Sequence, residues 1–314
     1  MSPGRAIALG HLAVGDFRPQ RIADVYAAVE AIVQEGHGNV AEVCRYLGVN
    51  RTSFYAWQTA EPTVPEERDA QLAPLVRVIF KRHRRRYGAR RIAEDLKEMG
   101  HHCDRRKVSN VMKTLKLNAI QPKSFVPKTT DSRHRLGYSP NLLLDADAPA
   151  TINQVWIGDI TYIPLTDGTF CDMAMLMDLF SRRIVGWHRD DNMMEQLVLK
   201  ALRSAIKERQ PDVGLLHHTD RGGQYAGNEY RSLLRRAAIT QSMSRADNGF
   251  YDNAFMESCF GTIRNELEMT DYQSKPEAKK EMSEYIRYYV HERRHSSLDY
   301  RSPAQSEQFI KLSK

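Results

Sequence analysis

The stretch VWIGDITYIPL, residues 155–165, decides how this chain folds. It is rich in β-branched and aromatic residues, which is strand composition. Asp159 nevertheless sits in its middle, between Ile157 and Ile160. Aspartate is disfavoured in strands, so its presence there asks for a chemical reason. The next runs outward are also strand-like. TDG at 166–168 reads as a turn, TFCDMAMLMDL at 169–179 as a second strand and RRIVGWHR at 182–189 as a third. Their spacing predicts an antiparallel meander.

A helix follows at about 193–208, with Met194, Leu197, Val198, Ala201 and Ala205 on one face. The apolar run Val213, Leu215 and Leu216 reads as a buried strand over 213–218. It leads into HHTDRGGQY, 217–225, which places Asp220 at the strand tip beside two glycines. A helix at 227–237, a short strand at ITQSMS (239–244) and a long helical stretch from near Asp252 complete the series. The order β-β-β-α-β-α-β-α is that of an RNase H-like domain, an α/β fold with a mixed sheet. We expect it over 151–270, with a C-terminal helical segment at 271–314.

The front of the chain is helical. Ile22, Val25, Tyr26, Val29, Ile32 and Val33 fall at helical spacing. In NVAEVCRYLGVNRTSFYAW (39–57), Val40, Val43 and Leu47 form one stripe, Gly48 and Val49 a tight turn, and Asn50 an N-cap for a helix carrying Phe54 and Trp57. That is either a plain helical hairpin or a helix-turn-helix, in which Asn50, Arg51, Thr52 and Ser53 open the recognition helix. EPTVPEERD (61–69) reads as an acidic, proline-broken linker. Beyond it, Leu72, Leu75, Val76, Ile79 and Phe80 mark a helix, Ala89 to Met99 a second, and Val108, Val111, Met112 and Leu115 a third capped by Asp104. Between the first two lies KRHRRRYGARR (81–91), with seven Lys or Arg in eleven residues. Such a run fits a solvated face or a phosphate-contacting surface, and its place in a second helix-turn-helix favours the latter. Arg84, Arg85, Arg86, Arg90 and Arg91, with Arg105, Arg106 and Lys107, are the candidates there. The expected organisation is therefore a first helix-turn-helix domain at 1–60, a second at 70–120, and a linker at 121–150 holding Pro122, Pro127, Pro140 and Pro149.

Charge supports that division. Residues 1–125 hold 21 Lys+Arg and 13 Asp+Glu, net +8; the remaining residues hold 25 and 26, net −1. The front is the part suited to a polyanion. No apolar run approaches the roughly 18 residues of a membrane span, and the N-terminus lacks a signal-peptide pattern. Cys44, Cys103, Cys171 and Cys259 form no CxxC pair, which argues against a zinc ribbon or disulfide framework and for a reducing cytoplasm. HHC at 101–103 lacks a second ligand pair at zinc spacing.

Three acids stand out: Asp159, Asp220 and Glu257, the last on the helix of YDNAFMESCFGTIRNELE beside Phe255 and Phe260. Burying one unpaired carboxylate is costly, and three together repel one another. A hard divalent cation, Mg²⁺ or Mn²⁺, reverses that sign. Two ions about 4 Å apart can activate an attacking oxygen and stabilise a leaving oxygen on phosphorus. No protein nucleophile is evident, since Ser258 and Cys259 have no activating base in sequence.

The segments GDITYI, HTDRGGQY and DNAFMESCFGTIRNELE resemble the three signatures of DDE transposases and retroviral-integrase-type enzymes. More closely they resemble the OrfB chain of the bacterial insertion-sequence family encoded in two overlapping frames, OrfA and OrfB. VCRYLGVNRTSFYAW, YGARRIAEDL and RHSSLDYRSPAQ (294–305) resemble other parts of that chain, so the likeness spans most of the sequence. The resemblance implies catalytic, metal-binding Asp159, Asp220 and Glu257, with two Mg²⁺ or Mn²⁺ per site. It implies a polynucleotidyl transferase that binds terminal inverted repeats, cleaves element ends and joins a 3′-hydroxyl to target DNA. It further implies a homo-oligomer on paired ends, a possible OrfA partner or fusion, and a nucleoid-associated bacterial protein. Arg264 stands where the family has a lysine, about two turns from Glu257 on the same face, and is a candidate phosphate contact. His218 precedes the second aspartate and either orients it or packs. The second Asp and the Glu are separated by 36 residues, where the family has about 35; the additional one falls in RADNGFYDN, which leaves Asp252 as a rival to Glu257. His291 replaces a family asparagine.

Other residues carry plainer expectations: Asp172 and Asp178 as solvent-facing or turn groups, Trp156 and Trp187 as core, and Glu266 as an exposed helix acid. The rival functions are a regulator that has lost catalysis and an RNase H-type nuclease on hybrid duplexes.

Overall fold

The computed structural model describes residues 22–59, 64–121, 137–144, 146–190, 194–245, 254–267 and 272–312. The chain divides into two compact units, up to Leu72 and from Ala73 onward. Among the described residues, no helix is long and apolar enough to cross a membrane.

The first unit holds α1 (Ile22–Gln34), α2 (Val40–Tyr46) and α3 (Arg51–Gln58). Its core is Tyr26, Val29, Val43, Cys44 and Phe54, with Trp57 packed against it. Asn39 and Glu42 form a reciprocal capping box at the start of α2. Gly48 turns the chain at φ +70°, a backbone that glycine adopts without a Cβ clash. Asn50 then caps α3, its side-chain oxygen accepting from the backbone N–H groups of Thr52 and Ser53.

The helix α4 (Val64–Arg82) begins inside the stretch read as a linker. Pro65 falls in its first turn, where a missing N–H costs nothing, so proline opens this helix rather than breaking it. In the second unit α4 continues into α5 (Ala89–Glu98) and α6 (Arg105–Thr114). Val76, Ile79, Phe80, Ile92, Leu96, Val108 and Val111 are buried between them.

The sheet has five strands: β1 (Val155–Pro164), β2 (Phe170–Asp178), β3 (Ile184–Asp190), β4 (Leu216–Thr219) and β5 (Thr240–Met243). Their order is β3-β2-β1-β4-β5, antiparallel through the meander and parallel from β1 to β4 to β5. This is the mixed sheet expected. The fourth strand starts later than the apolar run suggested. Gly214 adopts φ +103° and Val213 is 85% exposed, so only the residues after Gly214 extend into the sheet.

Strand alternation separates two faces. On one, Trp156, Ala174, Leu176 and Val185 pack on α7 (Glu195–Arg209) and on α9 (Asn228–Arg236), which follows the short α8 (Gly223–Ala226). Gly186 is required there, because a Cβ would lie 2.5 Å from the Ala201 carbonyl oxygen of α7. The other face lies under α10 (Ala254–Glu266) and α11 (Lys275–His291), before α12 (Pro303–Leu312). The helical stretch expected from near Asp252 runs as separate helices, and Ser274 caps α11 anew, with Pro276 in its first turn. Trp156 is fully buried as expected and Trp187 half-buried.

Asp178 is a turn group, one of the two roles expected for it, though from a buried position, and Asp172 departs from expectation. Asp178 is fully buried, accepting from the N–H groups of Asn153, Phe180 and Ser181 and from the Ser181 hydroxyl, so it organises the β2–β3 turn from inside. Asp172 is also buried, and burial with the nearby Asp190 charge raises its pKa. Part of the expected linker is in place against the sheet. Ser139 donates to Gln241, the Leu142 N–H to Ser242, and the Met243 N–H to the Pro140 carbonyl.

Candidate active site

Register brings the first two acids together. β1 and β4 run parallel with Gly158 opposite Thr219. Asp159 and Asp220 are the residues that follow this last pair on the two chains, near enough for the Asp220 charge to act on Asp159. Asp220 leaves the strand as β4 ends, and its Oδ1 accepts the Gly222 N–H at 2.9 Å. Gly222 keeps an ordinary backbone at φ −58°, but a Cβ on it would come within 3.1 Å of that same oxygen.

Glu257 comes from the first turn of α10, which lies against β1. Asp159 feels both neighbours. Burial of its carboxyl pushes its pKa well above the usual aspartate value, and the charges of Asp220 and Glu257 push it further. The Ile160 N–H, donating to Oδ1 at 2.8 Å, and the Arg264 charge oppose this without overcoming it. Arg264 is pinned by its Nη2 donating to Thr161 Oγ1 at 2.6 Å, two residues along β1 from Asp159. Asp252 lies outside the described residues, as does most of RADNGFYDN.

Sequence reasoning missed several supports. Thr161 is buried and anchors Arg264. Tyr225 is buried, and burial plus the charges of Asp159 and Asp220 raise its pKa well above the ordinary value. The most consequential is Glu266. It is 8% exposed, not a surface acid. It closes α10 and is held by Arg293 (Nη2 to Oε1, 2.8 Å), Arg91 (3.1 Å) and the Tyr285 hydroxyl (3.0 Å). Burial pushes its carboxyl up, but Arg293 and Arg91 outweigh that and leave it below the usual range. Its partners are up to 175 residues distant, so no local pattern announced it. His218 spans Ser242 and Ser244 through its two ring nitrogens and is fully buried. It therefore ties β4 to β5 beneath Asp220.

The donor set is all carboxylate oxygen, which suits a hard divalent cation. The uncompensated repulsion on Asp159 is what such a cation relieves. Among the described residues no three His, Cys, Asp or Glu side chains close tightly enough to hold one ion. The acids are gathered but not drawn in. Cys259 is poorly suited to be a nucleophile: burial drives its thiol up to about 11, against the opposing Tyr289 hydrogen bond and Arg293 charge.

The candidate DNA-contacting residues fall into two groups. Arg51, Thr52 and Ser53 are exposed at the start of α3, while the Asn50 side chain is spent on the cap. Arg84, Arg85, Arg90, Arg105 and Arg106 are exposed, and Lys107 is half-buried with its N–H on Asp104. Arg86 and Arg91 point into the protein instead. Arg86 donates to the Glu266 carbonyl at 3.1 Å and stacks over Tyr285 and Tyr288, and Arg91 reaches the Glu266 carboxylate. Half-burial among aromatic rings makes them anchors between the basic run and the end of α10.

Comparison with known proteins gives a consistent picture. An integrase core domain family matches residues 149–248, a second integrase core domain family 238–303, and an HTH-like domain family 66–125. The chain is 37% identical to the insertion element IS600 uncharacterized 31 kDa protein of Shigella sonnei, over 83% of this chain and 96% of that one. It is 36% identical to the transposase for insertion sequence element IS904 of Lactococcus lactis, over 76% and 94%. It is 33% identical to transposase InsF for insertion sequence IS3A of Escherichia coli, over 73% and 79%.

Proposed function

Because this chain belongs to the integrase-core transposases of bacterial insertion sequences, the OrfB-type proteins of the IS3 family, we propose that Asp159, Asp220 and Glu257 are its catalytic acids. What supports this assignment is the convergence of Asp159 on β1, Asp220 just past the end of the adjacent parallel strand β4, and Glu257 in the first turn of α10, which lies against β1. The three would hold Mg²⁺ or Mn²⁺, two ions in our reading, which when bound supply Lewis acidity to an attacking and a leaving oxygen on phosphorus.

The chain's own groups do the positioning. In this reading β1 and β4 carry two of the acids on neighbouring strands and α10 brings the third, and the three draw together around bound metal and DNA. Arg264, braced on Thr161, is placed to contact the phosphate near the bond that breaks. In the first step a water oxygen attacks the end phosphodiester in line; the P–O bond to the leaving strand breaks and a 3′-hydroxyl is freed. In the second, that 3′-hydroxyl attacks a target phosphodiester, forms a new P–O bond and releases a target 3′-hydroxyl. Bond count is conserved in the joining step, so no external energy source is needed.

We assign reading of the terminal inverted repeats to α2 and α3, through Arg51, Thr52 and Ser53, with Arg84, Arg85, Arg90, Arg105, Arg106 and Lys107 as backbone contacts. Two ends acted on together imply a homo-oligomer on DNA, and an OrfA-type chain is a candidate partner or fusion. A regulator without catalysis is not favoured, since all three acids are present and relatives are named as transposases. Asp220→Ala is expected to abolish joining of end-bearing DNA to a target in Mg²⁺ while gel-shift affinity for the same DNA stays within a few-fold. Joining retained by that variant refutes the catalytic assignment.

A further inference from the structure

The helix α10 has a second working face. Ser258, Cys259 and Thr262 lie roughly 100° to 200° around it from Glu257, at 3.6 residues per turn. On that side the helix walls a cavity of about 350 Å³. Three guanidinium groups line it: Arg91 from α5, Arg182 from the β2–β3 turn, and Arg293 just after α11. Arg91 and Arg293 share the Glu266 carboxylate. Arg182 has no comparable acid among the described residues. Its Nη1 is buried with no hydrogen-bond partner among the described residues, and its guanidinium lies 4.0 Å over the Phe255 ring. Asp178 offsets part of this charge from a distance, but its oxygens are already taken by Asn153, Phe180 and Ser181. A buried cationic donor left unpaired is costly, so it marks a place where a partner is missing.

Two further observations give the sign and the shape. Burial, then Arg293, Arg91 and Arg182, push the His295 imidazole down to about 2, so it stays neutral in a field that is already positive. Arg182 also holds φ +58°, a left-handed backbone that favours glycine, so this position carries an arginine against its own conformational preference. Ser258 and Thr262 on the wall, with Ser296 at the rim, add hydroxyl donors.

We propose that this cavity is a phosphate-oxyanion site separate from the acidic trio, and that it receives a backbone phosphate of the bound DNA. Guanidinium and hydroxyl donors together are the usual partners of a phosphodiester. The lining does not end as a cup for one small ion. Arg91 and Ser296 also border an adjoining open cavity of about 450 Å³ lined by Arg90 and Arg105. A polymer of phosphates can follow that continuous cationic surface. The inference rests on the transposase reading for the identity of the polymer, and free phosphate shares the same local chemistry.

The test uses the full chain and two variants. Arg182→Gly removes the guanidinium and suits the backbone; Thr262→Val removes one hydroxyl at nearly constant size. Each is titrated with end-bearing duplex at stepped salt by gel shift, and with inorganic phosphate at fixed ionic strength by thermal melting. We expect Arg182→Gly to weaken DNA binding evenly across sequences and to flatten the slope of log K against log salt by about one. Thr262→Val should weaken binding in the same direction by a smaller factor, and neither should lower the melting temperature without ligand. Loss of phosphate stabilisation with unchanged DNA binding overturns the DNA assignment. Unchanged behaviour in both titrations overturns the site. If Arg182→Gly fails to fold, Thr262→Val decides by the same readouts. Failure of the wild-type chain to join ends would count against the transposase reading alone, because both titrations measure binding.

Discussion

A carboxyl enclosed beside two others binds its proton more tightly folded than unfolded, and Asp159 is in that position. The sign follows by linkage: its contribution is favourable below the ordinary aspartate range, near pH 3.9, and turns against the fold as pH rises through the higher folded value. Asp159→Asn in metal-free buffer is therefore expected to melt higher than wild type at neutral pH. The gap should shrink as pH falls toward 4, and a wild type more stable at neutral pH contradicts the account. Glu266 has the opposite sign. Its pKa is lowered by Arg293 and Arg91 against the effect of burial, so its stabilisation is present above the ordinary glutamate range and is lost as acid protonates it. Glu266→Gln leaves Arg293 buried without its counter-charge, a change that costs about 3–5 kcal/mol in comparable buried pairs; urea unfolding measures it. Asp159 and Asp220 were legible because each breaks an apolar pattern. Glu266 was not, because the groups that hold it come from other elements, and sequence spacing carries no record of such partners.

At the scale of elements, α10 does two jobs, with Glu257 and Arg264 on one face and the Glu266 clasp at its end. Helical phase is what links them. Inserting one alanine between Gly261 and Thr262 rotates everything beyond it by about 100° relative to Glu257. We expect that variant to lose strand joining while its binding of end-bearing DNA falls no further than that of Thr262→Val; joining at wild-type level would show that Arg264 need not share a face with Glu257. Periodicity made the strands of the meander and the helices legible to within a few residues. It failed at β4, where hydrophobicity suggested a strand through Val213 but Gly214 sets the chain in a left-handed turn. It failed again at α4, where Pro65 was read as a breaker although a first-turn proline fits a helix. The basic run was legible as charge, but half its purpose was not. Arg86 and Arg91 are spent on α10 and α11, which only folding brings near.

The whole molecule joins a first 125 residues of net +8 to a remainder of net −1, and carries its acids on β1, just past β4 and on α10. That asymmetry suits a protein whose affinity comes from phosphate contacts and whose chemistry needs concentrated negative charge. The central claim is that the acids act as one divalent-cation site. The direct measurement is the rise in melting temperature of the full chain with added Mg²⁺ or Mn²⁺, compared with Asp159→Asn, Asp220→Asn and Glu257→Gln. The account predicts a metal-dependent rise in wild type that each single substitution removes or largely reduces. An undiminished rise when all three substitutions are combined would contradict it.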